Sequence, residues 1–423
     1  MRNFYFLLLI SLLPPIQVWG SGFQISLQGQ PQIGLAHCGT AAPLNAGALF
    51  YNPGGMGFLR GKQLMVGIHP VYGRAEYLQT STAQSGRNDF GISLPFSLYY
   101  THRLGPADAP SKFTIGIGVY TPFGSKISYP DDWMGKFLVQ NVSLSTLFFQ
   151  PTVSYNVNDR ISIGVGLVGG YGKFTIQRAI PVYGEETYGQ ANLEADGTGF
   201  GFTAGVYTEP WPDKFSIGIA YKSAARVSLK NGDATFIVPQ TAEVLFPDTK
   251  FNLNVGLPDA MSVAIAYFFD PKQGTTLKDK SNVSLISLEV ERVGWNIFKD
   301  LNFEYADTIA GSRTLKLIRN YQNTYRFSIG GQYVTKKRLT LRAGAYYDLN
   351  AAPDCCSSPE TPDTKRIVGT LGLSANLTSK LKIDFSLLYG RGLKRSTVNE
   401  QNNFASTLKG DVVSPGVGFQ YIF

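Results

Sequence analysis

The sequence predicts an all-β protein, a transmembrane antiparallel β-barrel of about 14 strands with an N-terminal plug inside its lumen. Three observations carry this. Runs of alternating apolar and small or polar residues recur from about residue 62 to the last residue. The connections between runs fall into a short set and a long set that largely alternate along the chain. The final run ends the chain on Phe423 with an aromatic stripe on one face.

The chain begins as a secreted one. Arg2 supplies a positive charge, Phe4 to Leu13 is an apolar run broken only by Ser11, and Val18 and Gly20 in Val18-Trp19-Gly20 offer small or short side chains for cleavage. The run is too short for a helix spanning the ~30 Å hydrocarbon core, which needs roughly 20 residues. Residues 1–20 therefore read as a signal peptide cleaved after Gly20, and no Cys follows closely enough for lipidation.

Composition narrows the class further. The chain is 43% hydrophobic and rich in Gly, Tyr and Phe, yet its mean hydropathy is −0.04. Lipid-facing apolar residues alternating with small or polar lumenal ones average to this neutral value, whereas helical spans would raise it. The net charge of +8 is spread over turns and loops rather than gathered in a stripe, which argues against a nucleic-acid partner. Three cysteines, two of them adjacent (Cys355 and Cys356) and Cys38 far away, make no disulfide framework. With His37, His69 and His102 they form no metal-ligand spacing, and no nucleophile and base stand in a catalytic pattern. No cofactor, no metal and no enzymatic activity are expected.

Residues 21–61 lack any sustained period and are dominated by Gly, Ala, Asn and Pro, so they read as the plug, with residues 62–423 as the barrel. Within the barrel, Phe113, Ile115, Ile117 and Val119 alternate with Thr114, Gly116 and Gly118. The same rule orders Ile161 to Leu167, Phe215 to Lys222 and Leu381 to Leu387. Fourteen such segments run from 63–77 to 411–423, with the seventh at 214–230, the ninth at 282–296 and the tenth at 320–334. Connections after the fourth, sixth, tenth and twelfth are short; those after the third, fifth, seventh, ninth, eleventh and thirteenth are long. A barrel with short periplasmic turns and long external loops sorts its connections this way, and a soluble sandwich has no reason to. Val417, Phe419, Tyr421 and Phe423 would leave an aggregation-prone edge in water, which closure against the first strand removes.

Several short motifs share an order along the chain: Ser21-Gly22-Phe23-Gln24, Phe50-Tyr51-Asn52-Pro53-Gly54-Gly55-Met56, Tyr120-Thr121-Pro122-Phe123-Gly124, Leu257-Pro258-Asp259 and Leu341-Arg342-Ala343-Gly344. Together with the signal and the terminal Phe423, this series resembles the FadL/TodX-type outer-membrane transporters of long-chain fatty acids and aromatic hydrocarbons. Gly54 departs from the Ala usual after Asn52 and Pro53 in that family. The resemblance implies a plugged fourteen-stranded barrel, passive diffusion of ligand, capture in a groove among external loops, and release through a kinked third strand. It also implies recognition of the C-terminal strand by the barrel-assembly machinery. The expected partners are a hydrophobic small molecule, outer-membrane lipid and lipopolysaccharide, with the protein a monomer.

A site for greasy solutes has to be largely apolar with few polar groups. The loop residues Phe123, Trp133, Phe137, Leu138, Phe236 and Phe246 are the candidate groove, since loops seldom carry apolar residues at this density. Arg226, Arg326 and Arg342 fall on polar faces by alternation, and Arg178 does so if its strand is unbulged. Each is either a partner for a carboxylate head or half of an ion pair across the lumen, for instance with Glu289 or Glu291. Gly116, Gly118 and Pro122 mark either a bend in the third strand or a lumenal Gly stripe and a strand end. The competing function class is a structural or adhesin-type barrel without transport.

Overall fold

The computed structural model describes residues 22–89, 91–106, 109–182, 188–269, 282–335 and 339–423. The expected signal peptide, residues 1–20, lies outside the described residues. The barrel strands are β1 (Lys62–Ile68 and Val71–Gln79), β2 (Ser85–Arg87, Ile92–Ser93 and Phe96–Arg103), β3 (Phe113–Tyr120 and Gly124–Ser128) and β4 (Asn141–Asn156). They continue with β5 (Ile161–Ile180), β6 (Gly189–Trp211), β7 (Phe215–Lys222 and Ala225–Ile237), β8 (Thr249–Leu257 and Asp259–Phe268) and β9 (Leu285–Gly294 and Asp300–Ile309). The series ends with β10 (Ser312–Ile318 and Thr324–Val334), β11 (Leu339–Asp348), β12 (Arg366–Asn376), β13 (Leu381–Gly392 and Arg395–Asn399) and β14 (Phe404–Ile422).

Each strand pairs antiparallel with its sequence neighbours, and β14 returns to β1 through pairs from Gln63–Ile422 to Gln79–Ser406. The apolar C-terminal edge is thereby consumed by closure, which leaves the sheet without an edge. Outside, Ile163, Val165 and Leu167 stand exposed where lipid would lie, Leu167 at 70%. No helix among the described residues is long and apolar enough to cross a membrane.

Inward faces change character along the barrel axis. On β4 the inward series runs Val142, Leu144, Thr146, Phe148, Gln150, Thr152, Ser154, Asn156. The end near the long loops is bulky and apolar, and the end near the short turns is small and polar. The polar half receives residues 22–61, which carry two short helices, α1 (Gln30–Gly34) and α2 (Ala48–Tyr51), and a 3-10 turn at Pro53–Phe58. Almost all of this segment is buried, so the barrel wall supplies the walls of its core.

Two features depart from the sequence expectation. The long connection after the ninth strand is a β-hairpin, because Asp300–Ile309 and Ser312–Ile318 pair with each other and extend β9 and β10 past the membrane-facing part of the barrel. β7 is interrupted at Ser223–Ala224, which reverses its faces: Ser216, Gly218 and Ala220 point inward before the break, and Ala225, Val227 and Leu229 after it.

Candidate functional site

The Asn52-Pro53-Gly54 turn seats the plug on β5 and β6. Asn52 donates from Nδ2 to Thr40 O and Val206 O, both at 2.9 Å, while its Oδ1 accepts from Gly54 N at 3.0 Å. The turn presses into the wall at a cross-strand glycine pair, Gly164 and Gly205. A Cβ on Gly164 would stand 2.4 Å from Pro53 C, and one on Gly205 would stand 2.1 Å from Asn52 Oδ1. Gly54 itself lies so close that a Cβ would be 2.8 Å from Gly205 O, which gives the glycine here a steric reason.

Gly116 and Gly118 lie on the lumenal face within an unbroken ladder, paired with Thr101 and Tyr99 on one side and Thr152 and Gln150 on the other. They leave room for Leu49 of α2, whose methyls would come within 2.7 and 3.0 Å of added Cβ atoms. The interruption of β3 falls further on, at Thr121–Phe123, around Pro122. Pairing with β2 stops at Ser97–Tyr120, and beyond it Thr121 N donates to Phe96 O and, at the far end, Asp89 N donates to Ser128 O at 2.7 Å.

The backbone groups released at the break are taken up by the start of the plug. Ile25 N donates to Pro122 O at 2.7 Å, Gly124 N donates to Phe23 O at 3.0 Å, and Gln24 bridges Phe123 antiparallel. Unpaired backbone at membrane depth is tolerable only when something inside the barrel satisfies it, and Phe23–Ile25 does so here. Beside this segment is a cavity of about 120 Å³. Its inner wall includes His37, Tyr346 and Leu388, and its outer wall is formed by both sides of the gap, Gly91 and Ser93 of the β2 side and Gly124–Ile127 of the β3 side.

Charged residues hold the same segment from the opposite wall. Arg326 pairs with Glu291 at 3.1 Å and donates to Ser26 Oγ at 2.9 Å. Glu289 accepts from the Thr40 amide and hydroxyl at 3.1 and 3.0 Å. Arg342 donates to Gln332 Oε1 at 2.7 Å and Ser374 Oγ at 2.5 Å. Arg326 and Arg342 are thus both engaged in lumenal networks. Arg226 instead faces outward, because the break in β7 turns its side over; Lys222, just before that break, is the inward cation, 3.6 Å from the centroid of Phe50. β5 is unbroken, so Arg178 shares the inward face of Phe174 and Ile176. It forms no ion pair among the described residues and acts electrostatically on the Tyr305 hydroxyl.

The family model for outer membrane protein transport proteins (OMPP1/FadL/TodX) matches residues 12–423. The chain belongs to the OMPP1/FadL/TodX family. It is 24% identical to outer membrane protein P1 of Haemophilus influenzae over 88% of this chain and 86% of that protein. It is 20% identical to the long-chain fatty acid transport protein of Escherichia coli K12, covering 96% and 95% of the two chains. In fold it is similar to a FadL homologue from Pseudomonas aeruginosa (TM-score 0.78, 18% identity, 95% of this chain and 100% of that one). It is likewise similar to the Pseudomonas putida toluene transporter TodX (TM-score 0.70, 15% identity, 97% and 99%).

The chain is therefore an outer-membrane β-barrel of a family of channels for hydrophobic compounds, a transporter and not an enzyme. In this FadL-family barrel most of the predicted groove residues converge. Phe123, Leu138, Phe236 and Phe246 pack on one apolar cluster that runs from the loops to the plug, and Trp133 is part of it. Trp133 is buried rather than displayed, stacked 3.9 Å from Tyr129 with its Nε1 donating to Val139 O. Phe137 stands apart at 41% exposure, edge-on to Tyr188.

The β11–β12 connection, 349–365, is mostly buried and packs on this cluster through Ala351 and Ala352. Asp363 accepts from the Ala351 and Ala352 amides and from Gly22 N at 3.3 Å, so the loop holds the plug's first described residue. Cys355 and Cys356 are bonded to each other there. Sequence reasoning missed Lys222, Leu49 and Asp363. Lys222 had a signal as a lone charge at the polar end of an alternating run, and Asp363 as part of Pro362-Asp363, a further match to the family resemblance.

Proposed function

We propose that this protein takes up small hydrophobic molecules by diffusion and releases them sideways through the wall at the interruption of β3. Residues 1–20 act as the secretion signal, 21–61 as the plug and 62–423 as the channel. Ligand meets the apolar loop cluster first, with Phe123, Phe236 and Phe246 at its edge and Phe137 outside it. Arg178, free of an ion pair among the described residues, is the cation best suited to receive a carboxylate head. The terminal strand ending at Phe423 serves assembly, and the protein acts as a monomer embedded among lipid and lipopolysaccharide.

The observation that carries lateral release is the cavity beside Phe23–Ile25, bounded on its outer side by both edges of the broken β2–β3 ladder. A continuous channel would instead need the plug to leave its glycine seat. Ser93 and Ser125 line the wall end of the cavity, away from that seat. Replacing both with Trp should cut cellular uptake of labelled toluene or oleate at least tenfold while leaving plug-dependent closure to small polar solutes intact. Uptake at the wild-type rate would reject the lateral route.

A further inference from the structure

Tyr51 has one hydroxyl proton and two polar neighbours. Its Oη lies 2.9 Å from the carbonyl oxygen of Gln28, which can only accept, and 3.2 Å from Nδ1 of His37. Both contacts are satisfied together only when Tyr51 donates to Gln28 and His37 Nδ1–H donates to Tyr51. Burial and the positive charges of Arg326 and Arg366 hold His37 well below its ordinary titration range, so the ring is neutral. A neutral imidazole with its proton on Nδ1 has a bare lone pair on Nε2.

That Nε2 is buried and has no hydrogen-bond partner among the described residues. His37 lines the cavity beside the N-terminal segment, whose other walls include Phe23, Ile25, Leu27, Leu388 and Val412. At about 120 Å³ the cavity is close to the size of an apolar hole, roughly 150 Å³, known to take one benzene ring. It is ring-sized, not chain-sized. The two guanidinium groups nearest His37 are already engaged, Arg366 with Asp348 at 2.5 Å and Arg326 with Glu291. Lys126, on the β3 side of the gap, is a further cation in the lining.

We propose that this cavity selects a small, neutral, mainly apolar molecule bearing one hydrogen-bond donor, such as a phenol, over a hydrocarbon of the same shape. This rests on the cavity being part of the uptake route. The donor satisfies an acceptor that the folded protein leaves unpaired, and the apolar walls take the ring.

The test is calorimetric titration of the full-length protein in one detergent with phenol, toluene and anisole. Comparing ratios between variants cancels partition into the micelle. Wild type should bind phenol about tenfold more tightly than toluene, the effect of one buried hydrogen bond. His37→Asn, which tolerates the left-handed backbone at this position (φ 67°), should lose that preference and keep toluene binding. Tyr51→Phe frees the imidazole to carry its proton on Nε2, so anisole, an acceptor, should gain on toluene. Equal affinity for phenol and toluene in wild type, or a preference unchanged in both variants, overturns the donor assignment while leaving the channel reading in place. Failure of all three probes to bind overturns both.

Discussion

Gly164 of β5 and Gly205 of β6 are cross-strand partners, and the Pro53–Gly54 backbone fills the space left by the first while the Asn52 side chain fills that left by the second. The polar half of the barrel is thus shaped to one turn of the plug. Gly164→Val should expel that turn, since the neighbouring atoms are backbone and cannot rotate away; overpacking of this kind costs about 1–3 kcal/mol. The barrel should still assemble, while single-channel conductance and leakage of small polar solutes rise. Gly169→Val is the control, because a Cβ there meets nothing within 4 Å. Wild-type conductance from a folded Gly164→Val barrel would show that the seat does not hold the plug.

The cations make a second, separable prediction. Arg178→Met should weaken binding of oleate roughly tenfold or more, the worth of a charge-assisted hydrogen bond, and leave toluene binding unchanged. Arg226→Met should change neither, as its side chain faces away from the lumen. Titration of both ligands against both variants decides it, and a loss for toluene in Arg178→Met would point to packing rather than charge.

Arg226 also marks where sequence reading ends. Period-two alternation gives the faces of β4, β5 and β6 correctly because the two ladders that join them keep one register throughout, and the absence of any period sets the plug apart. The two residues Ser223-Ala224 reverse β7 with no local marker, since Ser and Ala are as ordinary in a strand as in a bulge. The inward fold of Trp133 depends on Tyr129, Tyr77 and Phe404, the last two far away in sequence. Pro122 is legible as a strand breaker, but the partner that makes the break tolerable, Phe23–Ile25, lies about a hundred residues earlier.

Arg326 and Glu291 form a buried pair at 3.1 Å between β10 and β9 that also holds Ser26. Removing one partner strands the other's charge, which typically costs about 3–5 kcal/mol, whereas replacing both with apolar residues is far milder. Arg326→Met should therefore lower the temperature of the heat-induced gel shift more than Arg326→Met with Glu291→Leu. The reverse order would mean that the contact to Ser26, not the pair, dominates.

Acid should loosen the plug through His37. Its folded titration is depressed by burial and by Arg326, Arg366, His69 and Lys222, so the protein binds this proton less readily folded than unfolded. The stabilisation is present above the unfolded value of about 6.5 and is lost progressively as pH falls below it. Solute leakage of the wild type should rise between about pH 6.5 and the folded value, and His37→Asn should flatten this slope. The same slope in both proteins would assign it to carboxylates instead.

The last prediction asks whether the N-terminal segment must leave the wall for ligand to pass. Gln24 and Phe123 are antiparallel bridge partners. Such partners have Cα atoms about 4.5–5.5 Å apart, within the roughly 4.4–6.8 Å span of a disulfide. Gln24→Cys with Phe123→Cys should therefore form a bond that staples the plug's start to the break in β3. Cys38 is buried, and Cys355 and Cys356 are bonded to each other, so no native thiol is well placed to compete. If ligand escapes by displacing Phe23–Ile25, the oxidised variant takes up toluene far more slowly than its reduced form, and a membrane-permeant reductant restores uptake within the same cells. Each single-cysteine variant controls for loss of the Gln24 and Phe123 side chains. Because the staple touches the loop cluster only at Phe123 and leaves Phe236 and Phe246 in place, ligand should still bind the oxidised protein. Equal uptake in the oxidised and reduced states, with the bond verified by mass spectrometry, would mean that ligand leaves without moving the segment.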